Sequence, residues 1–302
     1  MNMMTIVYQI LMMLMIAAIG LLLRKKNVMS VPVIKGINTL VLKIAMPALA
    51  IMVTQKDADE ALRASFFRIL PIVLLLIFVT GVVVYAFARK MLPEKRVAAF
   101  TALAAMPNVG YMGVPIVQAV FGDQGTLLLG AYIIAFNALM FTLFQAMYAG
   151  SSFKVKELIM NTGFLSCLIS LLLFVFRIRL PLPIGALFAQ LGSMTTPLSM
   201  LLAGARLAEF RWDFLKAPSL WSLVGLRLLA IPLATAVILR LLGFGGMELG
   251  ILVLGTSMPC AVGGQMLAER YDKDAVFAAT GVSVTTLLCL ATIPLIMAVA
   301  GL

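Results

Sequence analysis

Ala105-Met106-Pro107-Asn108-Val109-Gly110-Tyr111-Met112-Gly113-Val114-Pro115 interrupts an apolar run that is otherwise long enough to cross a bilayer. A second run is interrupted in the same way by Gly255-Thr256-Ser257-Met258-Pro259-Cys260-Ala261-Val262-Gly263-Gly264-Gln265. Proline removes a backbone donor and clashes with the preceding turn, and glycine lowers the cost of unwinding. Two glycines after each proline favour an open break over a simple kink. Irregular backbone in hydrocarbon is tolerated only where it is buried in protein or faces water. The competing reading is that proline and glycine are simply frequent in membrane helices. It explains one such run and strains at a matched pair.

Outward from these breaks the chain is apolar almost throughout. Of 302 residues 63% are hydrophobic and 12% charged, and mean hydropathy is +1.11. A soluble domain carries roughly a quarter charged residues. The composition therefore fits an all-α membrane protein. Apolar runs of spanning length fall near 4–23, 36–54, 69–88, 97–121, 126–149, 158–176, 183–205, 218–241, 248–268 and 275–301. A spanning helix needs about 20 residues.

The net charge of +11 does not point to nucleic acid. The basic residues sit in short clusters between apolar runs, and no contiguous basic face with aromatics can be drawn. Arg24, Lys25, Lys26, Lys35, Arg89, Lys90, Lys95, Arg96, Lys154, Lys156, Arg206, Arg211, Lys216, Arg270 and Lys273 fall in the odd-numbered loops. Only Lys56, Arg63, Arg68, Arg177, Arg179 and Arg240 fall in the even-numbered ones. Lys and Arg stay on the cytoplasmic side, so this imbalance predicts ten spans in the cell membrane with both termini outside. The first run has no preceding Lys or Arg and reads as a retained helix, not a cleaved signal.

Landmarks recur half a chain apart. Pro259 follows Pro107 by 152 residues, Pro183 follows Pro32 by 151 and Pro197 follows Pro47 by 150. Gly20-Leu21-Leu22-Leu23 answers to Ser170-Leu171-Leu172-Leu173, again at 150. The expected organisation is one integral membrane domain of two five-helix repeats, residues 1–150 and 151–302. Five is odd, so the second repeat enters the membrane inverted, an arrangement that recurs in secondary transporters.

In that arrangement the fourth and ninth helices are the broken ones. Their half-helix N-termini offer partial positive charge and free N–H groups to an anion. Pro107, Asn108, Gly110 and Tyr111 on the first break are the candidate substrate-binding residues, with Ser257, Pro259, Cys260 and Gln265 on the second. Arg227 stands 11 residues beyond Lys216, about 16 Å along a helix. That depth is too great for easy snorkelling, and its partner is a carbonyl, water or an anionic substrate. Asn137, Thr285 and Thr286 either line the path or bond between helices. Lys43 reaches the interface along its stem.

Several chemistries are excluded. The chain has no histidine, which removes imidazole relays and His-based zinc sites. Cys167, Cys260 and Cys289 lie in apolar runs and read as small hydrophobic residues, with no metal-ligand spacing. No cofactor motif or nucleotide-binding loop occurs. A membrane-embedded enzyme would need a base or metal set inside the bilayer, yet Asp57, Asp59, Glu60, Asp123, Asp272 and Asp274 lie in loops. A solute sensor on the same scaffold would bind without exchange.

The chain resembles the auxin efflux carrier family, in its bacterial branch of permeases and malonate-type transporters. The resemblance is carried by Leu40-Val41-Leu42-Lys43-Ile44-Ala45-Met46-Pro47-Ala48-Leu49, Pro107 to Pro115, Leu226-Arg227-Leu228-Leu229-Ala230-Ile231-Pro232, Ser257-Met258-Pro259 and Thr292-Ile293-Pro294. It implies ten helices, a scaffold part and a transport part, and a substrate site where the two broken helices cross. Elevator-like movement, homodimers in many members and small organic anions as cargo are further implications. The fifth-to-sixth connection of about ten residues departs from the long cytoplasmic loop of the plant exporters. The expected function is a secondary transporter of a small carboxylate, with membrane lipid as its surroundings.

Overall fold

The computed structural model describes residues 3–150, 161–208, 213 and 216–302. Lys154, Lys156 and Arg211, assigned above to the inner loops, lie outside the described residues, as does the start of the 158–176 run. The elements are helices: α1 (Met3–Lys25), α2 (Val31–Val53), α3 (Glu60–Met91), α4 (Glu94–Ala105), α5 (Val109–Ala149), α6 (Thr162–Val175), α7 (Leu182–Leu207), α8 (Pro218–Leu241), α9 (Gly246–Ser257), α10 (Val262–Arg270) and α11 (Ala275–Val299). Among the described residues seven of them, α1, α2, α3, α5, α7, α8 and α11, are long and apolar enough to cross a membrane. Helices α6 and α9 are shorter but apolar.

Local chemistry sets several of the ends. Asp59 caps α3 by accepting from the Leu62 N–H at 2.7 Å, and Asn161 caps α6 by accepting from Gly163 and Phe164. Asp274 caps α11 through Phe277 N at 3.1 Å. Side-chain oxygens of this kind satisfy donors that have no partner inside the helix. Helix α5 is two arms rather than one rod, because Gly122 has φ 64° and ψ −153°. Only glycine adopts that backbone readily. The 41-residue length of α5 thus divides into residues 109–121 and 123–149.

Packing follows a regular plan. Helix α3 runs along α4 and α5, and α8 runs along α9 and α11. The second half of α7 packs on α1, and the second half of α2 packs on α6. Where α1 crosses α7, a Cβ at Gly20 would meet the Leu201 carbonyl and one at Gly204 the Ala17 carbonyl. Small residues of this kind let membrane helices approach to backbone contact. Where α6 crosses α2, Ser170 Oγ donates to Ala50 O at 2.6 Å, and Thr54 Oγ1 lies 2.9 Å from Ser170 Oγ. Ser170 follows Gly20 by 150 residues, and Gly204 follows Thr54 by 150.

Candidate functional site where the two breaks meet

The break after α4 leaves the helix at Met106 (φ −102°, ψ 111°), and the break after α9 leaves it at Met258 (φ −62°, ψ 149°). Both stretches are extended there, so their backbone groups point sideways. They find each other. Asn108 N donates to Pro259 O at 2.9 Å, and Ala261 N donates to Met106 O at 3.0 Å. Pro107 and Cys260 face each other in an antiparallel bridge. Two segments that abandon their helices in an apolar interior thereby satisfy each other's backbone.

Two of the carbonyls that the breaks leave without a helical partner share one side chain. In an unbroken helix Ala104 O would accept from Asn108 N, and Thr256 O from Cys260 N. Asn108 N has gone to Pro259, and Cys260 N donates to Thr285 Oγ1 of α11 at 3.1 Å. Arg227, fully buried on α8, fills both gaps: it donates to Ala104 O at 2.9 Å and to Thr256 O. Both carbonyls lie at helix C-termini, where partial negative charge collects. The guanidinium therefore covers the negative ends of α4 and α9 together.

The positive ends remain. The N-termini of α5 and α10 begin at the crossover, beside a cavity of about 10 Å³. Its wall is Met46 of α2, Asn108, Gly110, Tyr111, Phe136 and Met140 along α5, and Ala261 and Gly263 of the second break. None of these carries a negative charge. Asn108 and Tyr111 are each 3% exposed, and Asn108 Nδ2 and the Tyr111 hydroxyl have no partner. Buried polar groups are nearly always paired, so two orphans on one cavity call for a ligand or water. A space of this size holds about one water molecule.

The structure thus gathers Asn108, Gly110 and Tyr111 on the cavity and uses Pro107, Pro259 and Cys260 in the backbone exchange. It keeps four other candidates off that wall. The Ser257 hydroxyl returns to Val253 O at 2.7 Å. Gln265 Nε2 donates to Glu269 at 3.0 Å, near a different cavity. Arg227 is committed to the two carbonyls. Asn137 is buried on α5 with its Oδ1 unpaired, and it does not line the cavity. Thr285 bonds between helices, and Lys43 is exposed within the π turn Val41–Ala45 of α2.

Sequence reading missed Met46, Phe136 and Met140, whose apolar side chains look like any other packing residue. It also missed Thr196 of α7, whose hydroxyl donates to Tyr111 O at 2.9 Å and ties α7 to the crossover. Gln145 on α5 is 1% exposed with both amide atoms unpaired, and no neighbouring motif marks it.

The profile of the family described as "Membrane transport protein" matches residues 5–157 and 147–297. The chain belongs to this membrane transport protein family. It is the same family as the auxin efflux carriers whose motifs the sequence carries. An uncharacterized transporter of Methanothermobacter thermautotrophicus is 28% identical over 287 residues, covering 93% of this chain and 94% of the relative. An uncharacterized transporter of Methanocaldococcus jannaschii is 23% identical over 275 residues, covering 86% and 88%. The family member described here is a multi-pass membrane transport protein.

Proposed function

We propose that the chain is a secondary transporter of a small organic anion, a carboxylate, with its substrate site at the crossover. The observation that carries this reading is the pair of orphaned donors, Asn108 Nδ2 and Tyr111 hydroxyl, on a cavity flanked by two helix N-termini. Helix N-termini favour anions, and Arg227 offsets the opposing field of the two C-termini. A carboxylate accepts several hydrogen bonds at once and suits donors of this kind.

The same proposal includes ten spans in two inverted repeats, 1–150 and 151–302, with both termini outside the cell membrane. Helix α4 with the first arm of α5 forms the fourth span, and α9 with α10 forms the ninth. The placement of ion pairs supports it. Lys56–Asp123, Arg68–Glu248, Arg177–Glu60 and Arg179–Asp57 join residues that this topology puts outside. Arg96–Asp274 and Arg206–Glu269 join residues that it puts inside. The matched crossings of α1 on α7 and α6 on α2 add support from packing.

A cavity of about 10 Å³ admits no carboxylate, so the cycle requires movement. Helices α1, α2, α6 and α7 form one group in this proposal, and the remaining helices carry the crossover past it in an elevator-type motion. Gradients across the membrane, and not ATP hydrolysed by this chain, supply the driving force.

Counterflow of labelled carboxylates in proteoliposomes tests the reading. At least one small carboxylate should exchange, and Asn108→Ala should slow that exchange about tenfold or more, the value of one hydrogen bond to a charged group. Exchange confined to neutral or cationic solutes would reject the anion, and a native rate in Asn108→Ala would reject the site.

A further inference from the structure

Two ion pairs away from the crossover occupy matching places in the chain. Lys56, just beyond the end of α2, holds Asp123, just beyond the first arm of α5, at 2.8 Å. Gln118 Nε2 donates to the same Asp123 oxygen at 3.1 Å. Arg206, in the last turn of α7, holds Glu269, in the last turn of α10, at 2.9 Å. Gln265 Nε2 donates to the other Glu269 oxygen at 3.0 Å. Arg206 follows Lys56 by 150 residues, Gln265 follows Gln118 by 147 and Glu269 follows Asp123 by 146. Cation, amide and carboxylate thus recur as a set.

Each set joins the same two kinds of element. The cation ends a helix of the α1, α2, α6, α7 group. The carboxylate and amide end the second part of a broken span. A relative movement of the two groups at that point beyond the reach of these side chains parts the pair. The loop-charge pattern puts Lys56 and Asp123 on the outer face and Arg206 and Glu269 on the inner one.

The two sets differ in how far they are shut away from solvent. The side chains of Lys56 and Asp123 are 32% and 63% exposed, those of Arg206 and Glu269 19% and 31%. Gln124, next to Asp123 in the chain, lines an open cavity of about 660 Å³. The inner pair borders one of about 20 Å³, lined by Asn38, Arg206, Gln265 and Glu269. Ion pairs gain strength as water is excluded.

We infer that Lys56–Asp123 and Arg206–Glu269 are the outer and inner latches of the transport cycle, and that each parts when its own face opens. The inference rests on the transport reading above. With one latch closed and the other parted, the crossover is reachable from one side only. Gln118 and Gln265 act as positioning residues, holding their carboxylates toward the cation.

Sided labelling tests this. Ala261→Cys, on a background of Cys167→Ala, Cys260→Ala and Cys289→Ala, puts a thiol on the crossover cavity for a membrane-impermeant methanethiosulfonate reagent. Asp123→Asn should raise labelling from outside about twofold and lower it from inside. Glu269→Gln should do the reverse, by about threefold or more because its pair is less exposed. The swaps Lys56→Asp with Asp123→Lys, and Arg206→Glu with Glu269→Arg, should restore the starting pattern. Shifts in the same direction, no shift, or a swap that inserts without restoring the pattern would each overturn the inference. Should a carboxylate-neutralised protein fail to insert, Lys56→Gln and Arg206→Gln part the same pairs and are read by the same criterion. Labelling needs no solute, so opposite shifts in a protein that exchanges no carboxylate would reject the carboxylate as cargo and keep the latches.

Discussion

At the first break Asn108 Nδ2 and the Tyr111 hydroxyl are unpaired on a cavity, whereas at the second break every side-chain hydroxyl is already engaged. Thr256 Oγ1 returns to Leu252 O and Val253 O, Ser257 Oγ returns to Val253 O, and Thr285 takes the Cys260 N–H. The backbones nevertheless behave alike, each giving one N–H and one carbonyl to the other. The difference separates two jobs. Opening a helix and closing the gap is backbone work that both segments share. Offering donors to a solute is side-chain work, and only the first segment leaves donors free.

Arg227 is the residue that serves both breaks, so its loss is the largest expected effect. Arg227→Met keeps the unbranched apolar stem of the side chain and strands Ala104 O and Thr256 O. Each stranded buried acceptor costs about 1–3 kcal/mol. A buried charge leaves at the same time, which offsets part of the loss. The net expectation is a destabilisation of about 2–4 kcal/mol, read as a fall in the melting temperature of the purified protein. Arg227→Lys, with a single compact donor group in place of the planar fork, should fall between. A melting temperature unchanged in Arg227→Met would mean that the antiparallel exchange alone holds the breaks closed.

Thr285 sharpens the comparison from the other side, because its hydroxyl accepts a backbone N–H of the second break, whereas that of Thr196 donates to a carbonyl of the first. Thr285→Val preserves shape and orphans the Cys260 N–H. Hydrogen bonds between membrane helices are worth about 0.6 kcal/mol on average and up to about 1.7. A loss near the upper figure is expected, since the stranded group is fully buried and carries the desolvation penalty of an unmade bond. Thermal unfolding in detergent measures it. Exchange of carboxylate should persist, because Thr285 does not line the cavity.

Much of this arrangement was legible in the sequence. Proline followed by two glycines at 107 and 259 marks both breaks, and the spacing of 150 relates Gly20 to Ser170. The structure adds that both residues stand where two helices cross. The gap between the runs 97–121 and 126–149 holds Gly122, whose positive φ divides α5 into two arms. Other features were hidden for physical reasons. The carbonyl partners of Arg227 lie 123 and 29 residues away, on other helices. Sequence spacing carries no signal for such a contact. Gln265 reads as a ligand because it follows a break, yet Glu269 lies one helical turn on and claims its amide. Met46, Phe136 and Met140 resemble packing residues because a closed apolar wall is packing until something enters.

Ser257 gives the smallest expected effect and the most direct test of the comparison. It stands one residue before Met258 and Pro259, in the place a sequence reading would choose for a substrate ligand. Its hydroxyl is spent on Val253 O, four residues back in its own helix. Back-bonding of this kind slightly destabilises helices, so Ser257→Ala should change stability by less than about 0.5 kcal/mol and leave carboxylate exchange at the native rate. Asn108→Ala removes a free donor and should slow exchange about tenfold or more. The two substitutions delete one polar group each, a few residues from paired prolines, and differ only in whether that group was already satisfied. If Ser257→Ala slows exchange as far as Asn108→Ala, the hydroxyl leaves Val253 during the cycle, and both breaks supply donors to the solute.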